Sequence, residues 1–284
     1  MSNFRAKKAL GQNFISDPQI IESIVDACGA GPKDTVVEIG PGKGALTCLL
    51  AERAARVIAV ELDSSVIPLL KGNLAGAPNV EVVNEDILKF DWSRVSGGVL
   101  RIVGNLPYYI TTPILLGILE KNVPAESITV MVQKEVAERI CASPGGKDYG
   151  VLSISLQYYA DCAYVLDVPA EYFSPRPKVD SAVVHMTLKK ERLLAPQEEQ
   201  QFFALVKKAF SQRRKTLINS LAGLSIDPGA LKDTSVVSGA SKDVSHVLSK
   251  EQLTSALSIA RIDPRRRPET LSIEEFAVLL KALV

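Results

Sequence analysis

Val36-Val-Glu-Ile-Gly-Pro-Gly-Lys-Gly-Ala-Leu46 is the stretch that decides the fold of this chain. An apolar run typical of a buried strand is followed by three glycines, Gly40, Gly42 and Gly44, and then by a helical pattern. Glycine lets the backbone turn sharply and lets a ligand press against it. The stretch therefore predicts a strand, a cofactor-binding loop and a helix in succession. Two alternatives stay open, because Gly40-x-Gly42-x-x-Ala45 also fits the nicotinamide dinucleotide fingerprint and a glycine-rich turn needs no ligand.

Strand-like and helical patterns alternate on both sides of this stretch, which is typical of a parallel sheet covered by helices on both faces. The predicted strands are residues 35–39, 57–61, 80–83, 100–103, 128–132, 152–158 and 182–188. The predicted helices are residues 17–28, 44–53, 64–74, 112–121 and 134–142, with Asp17 as the first N-cap. No clear helix separates the last two strands. The sequence therefore predicts an α/β sheet that is mostly parallel, with one antiparallel strand at its edge.

The chain is long enough for two domains. At 284 residues it exceeds the usual size of one domain, which favours one large and one small domain. After Lys190 no strand pattern recurs, and helical spacing is found at 197–221, 250–260 and 272–283. We therefore expect a catalytic α/β domain over residues 1–188 and a small all-α domain over residues 189–284.

Composition argues against several classes of protein. Hydrophobic residues make up 46% and charged residues 23% of the chain, as in an ordinary globular protein. No apolar run approaches the roughly 18 residues that span a bilayer, and the basic N-terminus has no apolar stretch behind it. The four cysteines are far apart and only two histidines are present. We therefore expect a cytoplasmic protein with reduced thiols, no membrane span and no metal site.

Charge is distributed unevenly along the chain, although the net value is only +1. From His185 to the C-terminus there are 16 Lys and Arg against 11 Asp and Glu, a balance of +5, while the preceding residues carry −4. This asymmetry is a hint that the C-terminal part has a polyanionic partner. The alternative is an ordinary solvated charged face.

Three acidic residues lie in or directly after successive predicted strands. Glu61 ends the strand after the glycine loop, where an acid grips ribose hydroxyls in dinucleotide folds. Asp86 follows the next strand and is placed to accept from an adenine amino group, unless it only caps the following turn. Glu38 lies inside the first strand and points toward the glycine loop. Because acids repel a pyrophosphate, this set favours a cofactor with ribose, adenine and positive charge: S-adenosylmethionine.

The tetrapeptide Asn105-Leu106-Pro107-Tyr108 carries the predicted chemistry. The Asn105 side-chain oxygen and the carbonyl of Leu106 or Pro107 can accept the two hydrogens of an exocyclic amino group on a flat base. The lone pair of that nitrogen, otherwise delocalised into the ring, then becomes available to a methyl donor. Tyr108 can stack on the base, which contributes ~1–3 kcal/mol. Taken alone, the motif fits a plain strand-to-turn sequence equally well.

Six ordered segments carry a resemblance to a known family. They are Leu10-Gly-Gln-Asn-Phe14, Glu38-Ile-Gly-Pro-Gly-Lys-Gly-Ala-Leu-Thr47, Asn105-Leu-Pro-Tyr-Tyr109, Gln133-Lys-Glu-Val-Ala-Glu-Arg139, Phe173-Ser-Pro-Arg-Pro-Lys-Val-Asp-Ser181 and Phe210-Ser-Gln-Arg-Arg-Lys215. With these segments the chain resembles the KsgA-type ribosomal RNA adenine N6,N6-dimethyltransferases along nearly its whole length. The resemblance implies a Rossmann-like class I methyltransferase sheet and S-adenosylmethionine as the cofactor.

The resemblance also implies roles for single residues. The cofactor contacts that it implies are Asn13, Ile15 through its backbone, Gly40, Glu61, Asp86 and Asn105. Ile15 stands where leucine is common in the family. Phe173 would join Tyr108 on the two faces of a flipped adenine, unless Phe173 is a core anchor under an irregular loop.

The implied substrate is a pair of adjacent adenines in the loop of the last hairpin of small-subunit rRNA, within an immature small ribosomal subunit. Basic residues near the N-terminus and in the second predicted domain are predicted to bind this RNA. The protein is expected to be a monomer. The predicted RNA-binding residues are Arg5, Lys7 and Lys8 near the cofactor site, and Lys207, Lys208, Arg213, Arg214 and Lys215 on a helix of the second domain.

Three other functions stay open on the sequence. The nearest is the related drug-resistance methylase of large-subunit rRNA, which shares the cofactor site, although the Arg-Arg-Lys segment and Leu106 favour the small-subunit enzyme. The second is an assembly factor or a transcription-factor-like binding module in which methylation is dispensable. The third is an NAD-dependent dehydrogenase.

Overall fold

The computed structural model describes Lys7 and residues 11–212, 214–226 and 246–283, apart from the side chains of residues 226 and 246. The chain divides into two compact units. The first comprises Met1–Cys141 and Tyr159–Lys189, and the second comprises Ala142–Tyr158 and Lys190–Val284. The sequence predicts a single boundary after residue 188, whereas the structure also groups residues 142–158 with the second unit.

The first unit is built on a seven-stranded sheet and a small separate ladder. Its strands are β1 (Phe14–Ile15), β2 (Thr35–Ile39), β3 (Arg56–Glu61), β4 (Val80–Asn84), β5 (Leu100–Asn105), β6 (Ala125–Gln133), β7 (Ala160–Val168), β8 (Phe173–Ser174) and β9 (Ser181–Leu188). Its helices are α1 (Pro18–Cys28), α2 (Ala45–Arg53), α3 (Ile67–Asn73), α4 (Thr111–Glu120) and α5 (Lys134–Ile140).

The strand order of the main sheet is β4-β3-β2-β5-β6-β9-β7. The first five strands in this order run parallel to one another; they are β4, β3, β2, β5 and β6. Strand β9 runs antiparallel to both β6 and β7. The predicted mostly parallel α/β class is therefore confirmed, but the antiparallel strand lies one place in from the edge. The edge strand β7 runs in the same direction as β6, because both are antiparallel to β9.

Local signals in the sequence explain how the first part of the sheet forms. Asp17 caps α1, since its carboxylate accepts from the backbone N–H groups of Gln19 and Ile20 at 3.0 Å each. All five residues of β2 are buried, as expected for an apolar strand in a sheet covered on both faces. Gly44 forms the N-cap of α2 with a φ of 89°, so the chain passes directly from the glycine loop into the helix.

The strand predicted at residues 152–158 is wrong, because Val151–Gln157 form a helix, α6, in the second unit. The alternation of apolar residues with serine imitates a half-buried strand, but Ser153 and Ser155 are buried together with the apolar residues. A helix buried on all sides leaves no apolar stripe of period 3.6 in the sequence. The strand that pairs with β9 at the edge of the sheet is instead β7, whose exposed residues include Asp161 and Asp167.

The second unit is mainly helical. Besides α6 it contains α7 (Pro196–Ala209), α8 (Leu217–Ser220), α9 (Lys250–Ile259), α10 (Ile273–Leu283) and a short ladder of β10 (Ser225–Ile226) with β11 (His246–Val247), which the sequence does not predict. Among the described helices, none is long and apolar enough to cross a membrane.

The single helix predicted over residues 197–221 is interrupted. Helix α7 ends at Ala209, and the hydroxyl of Ser211 donates to the carbonyl of Lys208 at 2.7 Å. A continuing helix would need a backbone N–H at that carbonyl, so the serine competes with the next helical turn. Arg214 and Lys215 therefore lie on the turn between α7 and α8.

Candidate active site

A cleft lies in the first unit where β2, β3, β4 and β5 end. This is the edge at which open α/β sheets bind their ligands. The predicted site residues that line it are Asn13, Ile15, Glu38, Gly40, Gly42, Glu61, Asp86, Asn105, Leu106, Pro107 and Tyr108. Residues that sequence reasoning missed also line it, among them Gln12, Leu46, Ile87, Tyr109, Ile114 and Ser174. One cleft thus brings together the glycine loop and the Asn-Leu-Pro-Tyr motif.

The glycine loop is packed against the ring of Phe14. Gly40, Gly42 and Gly44 have φ values of 67°, 55° and 89°, a region that other residues rarely adopt. A Cβ atom on Gly42 would lie 2.7 Å from the Phe14 ring, which is closer than real Cβ contacts. The ammonium group of Lys43 lies 4.9 Å from the centroid of the same ring, at cation–π distance. Gly42 is therefore required by the approach of Phe14, a reason that the spacing of the glycines does not reveal.

Glu61 ends β3 as a buried carboxylate that holds the loop. One of its oxygens accepts from the backbone N–H of Gly42 at 3.0 Å, and the other accepts from that of Asp63 at 2.8 Å. Burial raises the pKa of Glu61, and the two backbone bonds offset part of this rise. Glu61 therefore connects the end of β3 to the middle of the glycine loop.

Asp63, which the sequence analysis did not single out, fastens the N-terminal segment, here defined as Lys7 and residues 11–15. Its carboxylate accepts from Lys7 Nζ at 2.7 Å, from Gln12 Nε2 at 2.8 Å and from the Ser65 hydroxyl at 2.6 Å. Although burial alone would raise the pKa of Asp63, these bonds hold it well below its usual range. The ammonium of Lys7, a predicted RNA contact, is thus engaged by a carboxylate in the structure.

Glu38 is a buried acid with an unpaired oxygen. It is 1% exposed, and its Oε2 has no hydrogen-bond partner among the described residues. Burial raises the pKa of Glu38 to about 8; the nearby Thr47 hydroxyl lowers it, and the charge of Glu61 adds to the rise. Neither Oε2 nor the Thr47 hydroxyl meets hydrogen-bond geometry with any described group. A cation bound in the cleft would therefore favour the ionised form of Glu38.

Asp86 caps a turn and also lines the cleft. Its Oδ1 accepts from the backbone N–H of Leu88 at 3.0 Å, which is the capping role left open by the sequence. Its second carboxylate oxygen has no hydrogen-bond partner in the described part of the chain. One residue can therefore both shape the turn and accept from a ligand.

Asn105 is oriented by the N-terminal segment. Its amide nitrogen donates to the backbone carbonyl of Asn13 at 2.9 Å. This bond assigns the other atom of the amide, Oδ1, as the acceptor, and Oδ1 has no hydrogen-bond partner among the described residues. The Asn13 side chain itself donates to the Gly11 carbonyl at 3.2 Å. Asn105 therefore presents an available oxygen at the cleft.

The second acceptor at the end of β5 is the Leu106 carbonyl. The Pro107 carbonyl already accepts from the Ile110 N–H at 3.1 Å and from the Thr111 hydroxyl at 3.2 Å. The Leu106 carbonyl has no comparable partner within the described ranges of the chain, while the Leu106 N–H is bonded to the Met131 carbonyl at 3.1 Å. Of the two carbonyls that the sequence leaves open, the structure favours Leu106.

The two predicted stacking residues occupy different environments. Tyr108 lines the cleft, and its hydroxyl lies 2.7 Å from the Ser181 hydroxyl. Burial raises the pKa of the Tyr108 phenol, so it stays protonated at neutral pH. Phe173 is 5% exposed and packs in the hydrophobic core with Ile15 and Val183, and it does not line the cleft. Phe173 is therefore packed as a core anchor in this structure, and its stacking on a flipped adenine stays a prediction.

The N-terminal segment is also held from the opposite side. β1 pairs antiparallel with β8, so that Phe14 lies opposite Ser174 and Ile15 lies opposite Phe173. Together with the bonds to Asp63, this ladder fixes residues 11–15 beside the cleft.

The other predicted RNA contacts lie outside this cleft or outside the described residues. Arg5, Lys8 and Arg213 belong to the undescribed part of the chain. In the second unit, Lys207, Arg214 and Lys215 are exposed and Lys208 is half-buried.

The cleft fits S-adenosylmethionine in its shape and charge. The glycine loop leaves room for a ligand at the ends of β2 and β3, the unpaired oxygen of Glu38 suits a cationic ligand, and Glu61 and Asp86 suit ribose and adenine. No group of three or more His, Cys, Asp or Glu among the described residues is arranged to hold a metal ion.

Comparison with known proteins agrees with this geometry. The family described as ribosomal RNA adenine dimethylase matches residues 3–239. The chain is 44% identical to the ribosomal RNA small subunit methyltransferase A of Alkaliphilus oremlandii, over 99% of this chain and 92% of that protein. It is 46% identical to the protein of the same name from Shouchella clausii, over 99% of this chain and 90% of that protein.

Two solved structures are similar to this chain over nearly its whole length. A dimethyladenosine transferase from Plasmodium falciparum superposes with a TM-score of 0.76 at 25% identity, covering 94% of this chain and 95% of that one. The 23S rRNA methyltransferase ErmE superposes with a TM-score of 0.70 at 26% identity, covering 95% and 99%. Because the family match and the relatives extend over most of its length, the chain belongs to the ribosomal RNA adenine dimethylase family.

Proposed function

We propose that the protein transfers methyl groups from S-adenosylmethionine to N6 of two adjacent adenines in the 3′-terminal hairpin loop of small-subunit rRNA. The relatives named ribosomal RNA small subunit methyltransferase A support the choice of RNA. The observation that carries the proposal is a pair of available acceptors, Asn105 Oδ1 and the Leu106 carbonyl, at the cleft that the glycine loop shares.

The two acceptors prepare the adenine nitrogen for attack. S-adenosylmethionine supplies an electrophilic methyl group on a positively charged sulfur. Asn105 and Leu106 each accept one hydrogen of the N6 amino group, so the nitrogen lone pair leaves conjugation with the ring and is aimed along the line of transfer. Tyr108 supports the base, which must leave its stack to reach the site. Positioning of this kind contributes ~7–11 kcal/mol to many reactions.

The second methylation follows with one fewer hydrogen bond. Monomethyl-adenine keeps a single N6 hydrogen, so only one of the two acceptors is satisfied, and the cleft must hold the first methyl group. No residue at the cleft acts as a strong base in this proposal, and the proton leaves to solvent after transfer. The second transfer therefore proceeds with less hydrogen-bond support for the nitrogen than the first.

The partner is small-subunit rRNA within an immature small ribosomal subunit. The balance of +5 in the C-terminal part and the exposed cations Lys207, Arg214 and Lys215 support contact with phosphate. We also propose that the protein acts as a monomer.

A large-subunit rRNA methylase is the second candidate, because the ErmE structure is similar over nearly the whole chain. Immature small subunits and large subunits are incubated separately with the protein and isotopically labelled S-adenosylmethionine, and the rRNA is then mapped by mass. The proposal expects two labelled, doubly methylated adenines in the last hairpin of small-subunit rRNA. Label confined to large-subunit rRNA would favour the second candidate, and RNA binding without label would indicate an assembly factor.

A further inference from the structure

Tyr109 is an exposed aromatic residue at the cleft that the methyl-transfer chemistry does not use. It is 59% exposed, although it also lines the cleft. Its neighbour Tyr108 is half-buried and hydrogen-bonded through its hydroxyl to Ser181. The exposed Tyr109 side chain therefore starts one residue after Tyr108, the residue proposed to support the target base.

The Tyr109 ring is supported on one side. Its carbon atoms lie 3.5 and 3.6 Å from the position that a Cβ on Gly11 would occupy, so the ring rests against the N-terminal segment. That segment is fastened through Gln12 to the buried carboxylate of Asp63. An aromatic ring that is supported on one side and exposed on the other offers a stacking platform of the kind that single-stranded nucleic acids use.

Two cations lie on a loop that begins at the same cleft and ends beside the hydroxyl of Tyr108. Residues 175–180 connect Ser174, which lines the cleft, to Ser181, whose hydroxyl is hydrogen-bonded to that of Tyr108. Arg176 and Lys178 on this loop are exposed. Neither has a hydrogen bond or ion pair with any residue in the described part of the chain. Exposed, unpaired cations of this kind match the phosphates that position a nucleic acid on a protein.

We infer that Tyr109, Arg176 and Lys178 form a subsite for the nucleotide next to the target adenine, with its base stacked on Tyr109 and its phosphate beside the two cations. The inference rests on the proposed function and adds a second base contact to it. With two adjacent adenines as substrate, the subsite holds one adenine while its neighbour is methylated. It also keeps the RNA strand in place when the two exchange positions.

The test compares Tyr109→Ala with the parent protein on two small-subunit substrates, reconstituted from ligated rRNA that carries either adenosine or an abasic ribose next to the target. The single-turnover rate of methylation is measured at a protein concentration below saturation. On the adenosine substrate this rate should fall about 5- to 150-fold, which corresponds to the ~1–3 kcal/mol of base–aromatic stacking. On the abasic substrate, the variant and the parent should be equally slow. Tyr109→Phe keeps the ring and should behave like the parent, and calorimetric S-adenosylmethionine affinity should be unchanged in both variants.

The cations are tested by salt dependence. Arg176→Ala should flatten the slope of log affinity against log salt by about 0.7 to 0.9, whereas Lys71→Ala, an exposed cation on α3, should leave it unchanged. Tyr109→Ala with the parent's rate on the adenosine substrate overturns the subsite and leaves the proposed function intact. A parent protein that methylates neither substrate overturns the proposed function, and the subsite with it.

Discussion

Replacement of Asp63 by asparagine tests whether the N-terminal segment controls cofactor binding. Asp63→Asn keeps the size of the side chain but removes its charge and exchanges one acceptor oxygen for an N–H donor. The carboxylate accepts from Lys7 and Gln12 of the segment, and asparagine cannot satisfy both. The segment carries Phe14, which packs on the glycine loop, so its release should open the cofactor site.

The magnitude follows from the exposure of the two partners. The Lys7 side chain is 49% exposed while that of Asp63 is 1% exposed, and an ion pair with a half-exposed lysine contributes ~1 kcal/mol or less. The bond from Gln12 reaches a buried charged acceptor, and bonds to charged groups contribute ~1.5–3 kcal/mol. A net loss of about 2 kcal/mol is therefore expected. Since 1.4 kcal/mol corresponds to a tenfold change in an equilibrium constant, the equilibrium constant for docking of the segment should fall roughly 30-fold.

Two measurements report this change. Calorimetric affinity for S-adenosylmethionine should weaken by roughly 10- to 30-fold, and tryptic cleavage after Lys7 should become faster. The matched control is Ser65→Ala, which removes a different bond to Asp63 and none to the segment; its affinity should stay near that of the parent. Asp63→Asn with affinity within about twofold of the parent and unchanged cleavage would refute the role of the segment.

Three further predictions concern the cleft, and a fourth concerns exposed cations of the second unit. Gly42→Val should abolish cofactor binding, because its side chain would displace the Phe14 ring from the glycine loop and its φ is positive; unchanged calorimetric affinity would contradict this. Asn105→Ala should slow single-turnover methylation at least ~100-fold, as the loss of an oxyanion donor does, with little change in subunit binding; a rate near the parent's would remove Asn105 from the chemistry. Cofactor affinity should rise as the pH increases toward about 8, since below this pKa Glu38 must release its proton before it can attract a cation, and Glu38→Gln should flatten the titration; equal profiles would show that Glu38 does not respond to the cofactor. Replacing Arg214 and Lys215 by alanine should flatten the salt dependence of subunit binding by roughly 1.5 units with cofactor affinity unchanged, and a parent-like slope would identify both as ordinary solvated cations.

The cofactor half of the site is predictable from sequence because its signals are local. An apolar strand, three glycines and a helix follow one another directly, and the predicted strand at residues 35–39 matches β2 at both ends. Acids at the ends of successive parallel strands converge by topology alone, which places Glu61 and Asp86 in one cleft. These inferences need no knowledge of distant contacts.

The remaining features depend on pairs that are far apart in sequence. Lys7 and Asp63 are 56 residues apart, and no local pattern indicates that one will neutralise the other. The burial of Phe173 follows from its pairing with the N-terminal segment, which a phenylalanine ahead of a proline does not reveal. The choice between the Leu106 and Pro107 carbonyls depends on a turn that consumes one of them. Such competition among hydrogen bonds appears only once the chain is folded.

The reversal of β9 has a consequence for how this sheet hosts two ligands. In a wholly parallel sheet, only the carboxyl ends of strands lie at the edge where ligands bind. Here β9 begins at that edge, with Ser181 opposite Gln133 at the end of β6. The amino end of one strand therefore lies beside the carboxyl ends of the others. In the proposed function, the cofactor lies at the carboxyl ends of β2 to β4, and the target base lies between the end of β5 and the start of β9. The two halves of the edge are linked through β8, which pairs with β1 of the N-terminal segment. Only residues 175–180, which follow that ladder, can therefore be lengthened or recharged for a different RNA without disturbing the segment that packs on the glycine loop.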